Sequence, residues 1–315
     1  LPIFFFILML QPRFIFNVTE LILITTVIGL IITLFFGYTG MGAKRWIRIG
    51  GFNLQISEFA KIALVLFMAK YFHKLNAEKT IGLLRSILPL IISLIVFILV
   101  AIQPDLGTAV IILTLGLIAI FYAGINLIYP ILSLIILGIS SPFLWTLLKP
   151  YQQNRVMIFL NPDLDPLGKG YHIIQSKIAI GSGGMRGNGF LGGSQSSLDF
   201  LPEKETDFVF AIFSEQFGFT GSMVILGLFL FLFLIPIFKS FFLTQVFNKL
   251  ILFVLSFKIF FEFLINISMT IGLVPVVGVA LPFMSYGGSS LLSNMIICAL
   301  LINIMSISEK KRMFS

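Results

Sequence analysis

Apolar runs recur along the whole chain, among them Leu21 to Phe36, Ile87 to Ile102 and Val224 to Phe238. About 20 apolar residues carry a helix across the hydrocarbon core of a bilayer. The pattern predicts a partial span at 1–10 and spans at 18–36, 58–72, 86–102, 106–123, 127–147, 208–238, 250–272 and 288–307. Lipid offers no partner for backbone N–H and C=O groups, so helices are the default spanning structure. The alternating ten-residue segments of a membrane β-barrel do not appear. The expected fold class is all-α: a polytopic membrane helical bundle, read as a single integral membrane domain over 1–315.

Composition supports this reading. Hydrophobic residues make up 58% of the chain and charged ones 11%, with a mean hydropathy of +1.07. Soluble domains carry roughly a quarter charged residues. Cys298 is the lone cysteine, which excludes disulfides and cysteine metal sites. The chain starts at Leu1 inside an apolar run without a preceding basic stretch, which reads as an N-terminally truncated chain rather than a signal peptide.

A net charge of +8 raises nucleic acid as a partner, but the basic residues are scattered among loops, as membrane topology requires. Arg13, Lys70, Lys74, Lys79, Arg85, Lys239, Lys249, Lys310, Lys311 and Arg312 fall on one side; Lys44, Arg45 and Arg48 face them. Ten against three places the C-terminus in the cytoplasm and the loops at 37–57, 103–105 and 148–207 outside. Glu58, Asp105, Asp163, Asp165, Asp199, Glu203, Glu205 and Asp207 all gather at the outer face. Acidic residues contribute little to topology. Their bias points to a polar working site there.

The 148–207 loop is too long to be idle. Its apolar stretches, Val156 to Leu160, Tyr171 to Ile174 and Ile178 to Ile180, predict short amphipathic helices on the membrane surface. Glycines cluster at 181, 183, 184, 187, 189, 192 and 193 without the Lys-Ser/Thr of a phosphate loop, so that motif is rejected. Asp207 closes the loop in KETDFVFAIFSEQFG. It reads either as a helix cap or as a partly desolvated general base. Glu215 lies two turns deeper, where an ionisable group defaults to a functional hypothesis.

Other polar groups stand where apolar ones would cost less. Glu58 and Lys61 at i and i+3 suit a pair, and Lys258 and Glu262 at i and i+4 read as a structural pair inside a span. Asp105 lies in the tight turn QPDLG, where Pro and Gly have turn roles. PVVGVALPFMSYGGSSLLSN puts Gly287, Gly288 and Ser289 just before a helix, which suits either an anion site or close packing through small residues. Asn266-Ile267-Ser268 matches the glycosylation pattern but lies within the membrane, where that pattern carries no meaning.

Five segments together, QPDLGTA, YQQNRVM, NPDLDPLGKGYHIIQSKIAIGSGGMRGNGFLGG, FLPEKETDFVFAIFSEQFG and PVVGVALPFMSYGGSS, resemble the SEDS family of shape, elongation, division and sporulation proteins. The resemblance runs from about Gly42 to Ser308. It implies a ten-helix fold and a peptidoglycan glycosyltransferase that polymerises lipid II at the outer face of the bacterial cytoplasmic membrane during cell-wall elongation. The family's loop aspartate matches Asp207, the implied general base. Arg155, Lys61, Glu58, Asp105, Ser289, Gly287 and Gly288 fall on the other motif positions, as expected substrate- or diphosphate-binding residues. The implied partners are lipid II, undecaprenyl diphosphate, membrane lipids and a class B penicillin-binding protein transpeptidase, with no nucleic acid. A divalent metal ion, Mg or Mn, is an expected cofactor, and no organic cofactor is expected. The competing readings are a flippase for the same lipid, against which no paired interrupted helices are evident, and a non-catalytic scaffold of a cell-wall complex.

Overall fold

The structure, a computed structural model, describes residues 1–40, 43–75, 82–148, 150–165, 168–190, 192–193 and 205–313. Lys79, Asp199 and Glu203 lie outside the described residues, as do the side chains of Lys310, Lys311 and Arg312. The helices are α1 (Pro2–Met9), α2 (Pro12–Phe36), α3 (Ile56–Lys74), α4 (Leu83–Ile102), α5 (Leu106–Tyr122), α6 (Ile128–Leu147), α7 (Pro150–Leu160), α8 (Lys169–Ser182), α9 (Val209–Ser240), α10 (Val246–Thr270) and α11 (Gly288–Met313). Every predicted span falls on one of them. Five, namely α2, α4, α9, α10 and the 288–306 part of α11, are long and apolar enough to cross a membrane.

The chain forms two compact units, one of residues 1–130, 232–259 and 288–315, the other of 131–231 and 260–287. In the first, α2 buries Ile15, Thr19, Leu23, Thr26, Leu30 and Thr33. Steps of four, four, three, four and three residues keep that stripe on one face, the seam of a left-handed helix pair. Each threonine donates its hydroxyl to the carbonyl four residues back, so the seam is polar in composition yet satisfied. Ser86, Pro89, Ser93, Val96 and Val100 make the same stripe on α4. Opposite it, a Cβ on Gly116 would stand 2.1 Å from Ser93 Oγ, so α4 and α5 approach as closely as only a glycine permits.

Helix α3 is buried on almost every side, from Ser57 to Phe72, and packs against α2, α4, α5 and α11. A helix enclosed in this way is an inner element of a bundle, and its charges need partners from its neighbours. At the other end of this unit the Asn303 side-chain amide donates to the carbonyls of Ile7, Leu8 and Leu10, at 3.0, 2.9 and 2.8 Å. These are carbonyls at the C-terminus of α1, where the helix can supply few donors of its own.

The 37–57 loop departs from the all-α expectation. It folds into a three-stranded antiparallel sheet, β1 (Tyr38–Gly40), β2 (Ala43–Ile49) and β3 (Phe52–Leu54), in the order β1-β2-β3. Gly50 and Gly51 turn the second hairpin with φ of 53° and 88°. A two-residue hairpin with both central φ positive is the turn that matches strand twist, and glycine adopts it without strain.

In the second unit the long loop carries α7, a short 3₁₀ turn at Pro162–Leu164 and α8. The apolar stretches of the loop therefore do fall on helices, and α8 is docked on its neighbours. Ser176, fully buried, donates to the Thr270 carbonyl at 2.8 Å, and Ala179 packs with Phe208 and Ala211.

Helix α9 is broken. Gly218 has φ 65° and ψ −163°, which interrupts the helix at that residue. The glycine run of the loop fills the gap in the hydrogen-bond ladder. Asn188 and Gly189 N–H donate to the carbonyls of Glu215 and Gln216, while Phe219 and Thr220 N–H donate to those of Gly184 and Met185. A Cβ on Gly187 would lie 2.1 Å from the Gln216 carbonyl oxygen, and one on Gly218 would lie 2.3 Å from Gly187 N. The rejected phosphate-loop motif is thus a glycine splint on an interrupted membrane helix. Sequence reading finds no interrupted helix here, because a lone glycine in an apolar run reads as tolerated.

Candidate functional site

Asp207 sits at the turn that starts α9 and is half-buried. Three consecutive carbonyls of this turn are held from outside the segment. Tyr286 N–H donates to Glu205 O at 2.7 Å, Ser285 Oγ to Thr206 O at 2.5 Å, and Asn266 Nδ2 to Asp207 O at 3.1 Å. Asn266, fully buried in α10, also donates to Val279 O at 2.8 Å. Leu281 N–H donates to Ser285 Oγ at 2.7 Å, so the 279–286 loop is itself braced. A Cβ on Gly278, whose φ is 73°, would stand 3.4 Å from Asp207 Oδ2. The carboxylate therefore faces bare backbone at 278.

The same unit holds Arg155 and Gly287. Arg155 is half-buried on α7, and its Nε is sealed from solvent without a hydrogen-bond partner among the described residues. Glu215 is fully buried. A Cβ on Gly193 would meet its carboxylate at 2.3 to 2.7 Å, so the loop backbone lies directly on that acid.

The other predicted residues belong to the first unit. Lys61 Nζ donates to Glu58 Oε1 at 2.7 Å, and Ser293 Oγ donates to Glu58 Oε2 at 3.0 Å. The predicted i, i+3 pair is present, and both side chains are buried. Lys258 Nζ donates to Asn294 Oδ1 at 2.6 Å, and its charge also acts on Glu58. Asp105 caps α5 by accepting from Thr108 N–H at 3.3 Å, accepts from Gln55 Nε2 at 2.9 Å, and lies 3.8 Å from Arg45 Nη1. Ser289 Oγ accepts from Gln55 N–H at 2.9 Å and donates to Asn53 O at 3.0 Å. That hydroxyl ties the sheet to the start of α11, beside the exposed Gly288.

No group of three His, Cys, Asp or Glu residues that would hold a metal ion occurs among the described residues. A Mg or Mn ion is commonly held by only one or two carboxylates together with the phosphates of its ligand, and no step is derived through one. Sequence reasoning missed Asn266, Ser285, Ser293 and Asn294. The only signal for them is that each is a polar residue in or beside a span, where such residues are costly.

Long apolar helices, an enclosed charged helix and an aspartate whose backbone is held at the start of a membrane helix fit a multi-pass membrane enzyme. The sequence profile of the cell cycle protein family of FtsW, RodA and SpoVE matches residues 1–310, and the chain belongs to that family. Peptidoglycan glycosyltransferase MrdB of Escherichia coli is 39% identical over 281 residues, covering 89% of this chain and 75% of the relative. Peptidoglycan glycosyltransferase RodA of Treponema pallidum is 35% identical, covering 91% and 82%. Among solved structures, a chain of a peptidoglycan synthase complex that coordinates polymerization and crosslinking superposes with a TM-score of 0.82 at 31% identity, over 96% of this chain and 85% of that one. The rod shape determining protein RodA of Thermus thermophilus shares the fold, with a TM-score of 0.70 at 23% identity, over 96% and 83%.

Proposed function

We propose that this chain is a peptidoglycan glycosyltransferase that polymerises lipid II at the outer face of the cytoplasmic membrane in cell-wall elongation, with Asp207 as its general base. The observation that carries the reading is the half-buried Asp207 carboxylate at the outer end of α9, its backbone held on three successive carbonyls. A base must be held within hydrogen-bond reach of the proton it takes, and here the segment that bears it is fixed.

The acceptor GlcNAc 4-hydroxyl loses its proton to the Asp207 carboxylate as its oxygen bonds to the anomeric carbon of the donor MurNAc. The bond from that carbon to the diphosphate oxygen breaks, and undecaprenyl diphosphate leaves with inversion. Attack and departure occur on opposite faces, so one base suffices and no covalent enzyme intermediate forms. Negative charge grows on the leaving diphosphate, where a fixed cation lowers the barrier. Arg155 is the stronger candidate because its Nε has no protein partner among the described residues. Lys61 is already neutralised by Glu58. Glu58, Asp105, Ser289 and Gly288 in the first unit, and Gly287 in the second, are proposed as substrate contacts on the family resemblance alone. The C-terminus is cytoplasmic and the 148–207 loop outside, as the ten-to-three distribution of basic residues supports. A class B penicillin-binding protein transpeptidase is the proposed partner, in keeping with the synthase complex among the similar structures.

The test is the purified chain in proteoliposomes with labelled lipid II. Linked disaccharide chains are the expected product. Translocated monomer without polymer would identify a flippase instead, and no conversion with intact partner binding would identify a scaffold.

A further inference from the structure

Asn266 and Ser285 lie far from Asp207 in sequence, at separations of 59 residues for the Asn266 bond and 79 for the Ser285–Thr206 bond. The Asn266 amide bonds outside its own helix, and the Ser285 hydroxyl bonds both its own loop and the Asp207 turn. Asn266 sits near the C-terminal end of the apolar helix α10 with no exposure, where an amide costs free energy unless it is hydrogen-bonded. Both of its N–H groups are spent on backbone carbonyls, Asp207 O and Val279 O. One amide therefore staples the base-bearing turn to the segment that contains Gly278, the residue facing Asp207 Oδ2. Ser285 repeats the arrangement one residue earlier, accepting from Leu281 N–H while donating to Thr206 O.

This geometry serves placement. Ala211 and Ile212 N–H both reach the Phe208 carbonyl, so the helix ladder begins just after Asp207. The carbonyls of Glu205, Thr206 and Asp207 precede that ladder, and donors from α10 and the 279–286 loop claim them instead. From these contacts we infer that Asn266 and Ser285 are positioning residues for the reaction: they clamp the 206–207 backbone and so hold the Asp207 carboxylate at its working place. The inference rests on the reading of Asp207 as the base. A base displaced by about 1 Å loses on the order of 10²-fold in rate.

The experiment compares the full-length chain with Asn266→Asp, Asn266→Ala, Ser285→Ala and Asp207→Asn, in proteoliposomes with lipid II, following kcat and KM separately together with thermal melting. Asn266→Asp keeps the shape of the side chain but loses the paired donors. The expected result is a kcat lowered about 10-fold to 100-fold with KM within about 2-fold in both Asn266 variants, and a smaller kcat loss in Ser285→Ala. In a double variant with Asp207→Asn, the Asn266 change produces no further loss, because a base that is absent cannot be misplaced. Equal proportional losses in the Asp207→Asn background, or a rise in KM with unchanged kcat, would overturn the clamp. If Asn266→Asp does not fold, Ser285→Ala carries the same kcat and additivity test. An Asp207→Asn chain of full activity would instead remove the base assignment, which separates the two failures.

Discussion

Lys61 Nζ and Glu58 Oε1 stand 2.7 Å apart inside the helical bundle, one turn along α3, and Ser293 takes the second carboxylate oxygen. A buried ion pair gives little net stability when both partners are present, but removing one leaves an uncompensated charge. Glu58→Ala and Lys61→Ala are each expected to cost about 3–5 kcal/mol in thermal melting of the purified chain. The double variant Glu58→Ala/Lys61→Ala is expected to cost less than the two single variants together. Strict additivity would show that the two charges act independently.

The glycine splint predicts a graded set of alanine variants. Gly187→Ala and Gly218→Ala force a Cβ into backbone at 2.1 and 2.3 Å, at positive φ. Both are expected to lose at least about 2–3 kcal/mol through strain at a position that cannot relax. Gly184, with φ of 50° and open space around a Cβ, is expected to cost only the left-handed penalty of about 1–2 kcal/mol. Equal melting temperatures for the three variants would contradict the splint.

The spans were legible because lipid imposes one demand on every residue of a crossing helix, and an apolar run of the right length expresses it locally. The Glu58–Lys61 pair was legible for the same reason, since i, i+3 spacing on a helix is a local pattern. The hairpin at Gly50-Gly51 carried its signal in two glycines between short strands, and the strong apolar runs around it masked that signal. What could not be read was the grip on Asp207. Asn266 and Ser285 reach it through the fold alone, and nothing around either residue marks a partner so distant in sequence. The break at Gly218 is hidden likewise, since its consequence depends on a glycine run that precedes it in the loop.

Asp105 separates its capping role from its charge. Asn caps helices about as well as Asp, whereas Ala forfeits about 1–2 kcal/mol. Asp105→Asn is therefore expected to melt within about 0.5 kcal/mol of the parent chain, and Asp105→Ala to melt clearly lower. If both variants lost the same stability, the contacts that need the second carboxylate oxygen or its charge, the 2.9 Å bond from Gln55 Nε2 and the 3.8 Å approach to Arg45, would outweigh the bond from Thr108 N–H.

Arg155 is the proposed counter-charge for the departing diphosphate. Arg155→Ala is expected to reduce kcat about 10²-fold while the melting temperature holds. Arg155→Lys keeps the charge without the planar fork and is expected to fall between the two. Steady-state rates with labelled lipid II decide the order, and an undiminished rate in Arg155→Ala would remove that residue from the chemistry.

The account depends most on the Asp207 carboxylate as a proton acceptor, and the isosteric Asp207→Asn exchange isolates that property. In reconstituted full-length chain, the initial rate of glycan-strand formation is expected to fall by about 10²–10⁴-fold, with lipid II binding retained. Polymer forming at the parent rate from the Asp207→Asn chain would contradict it.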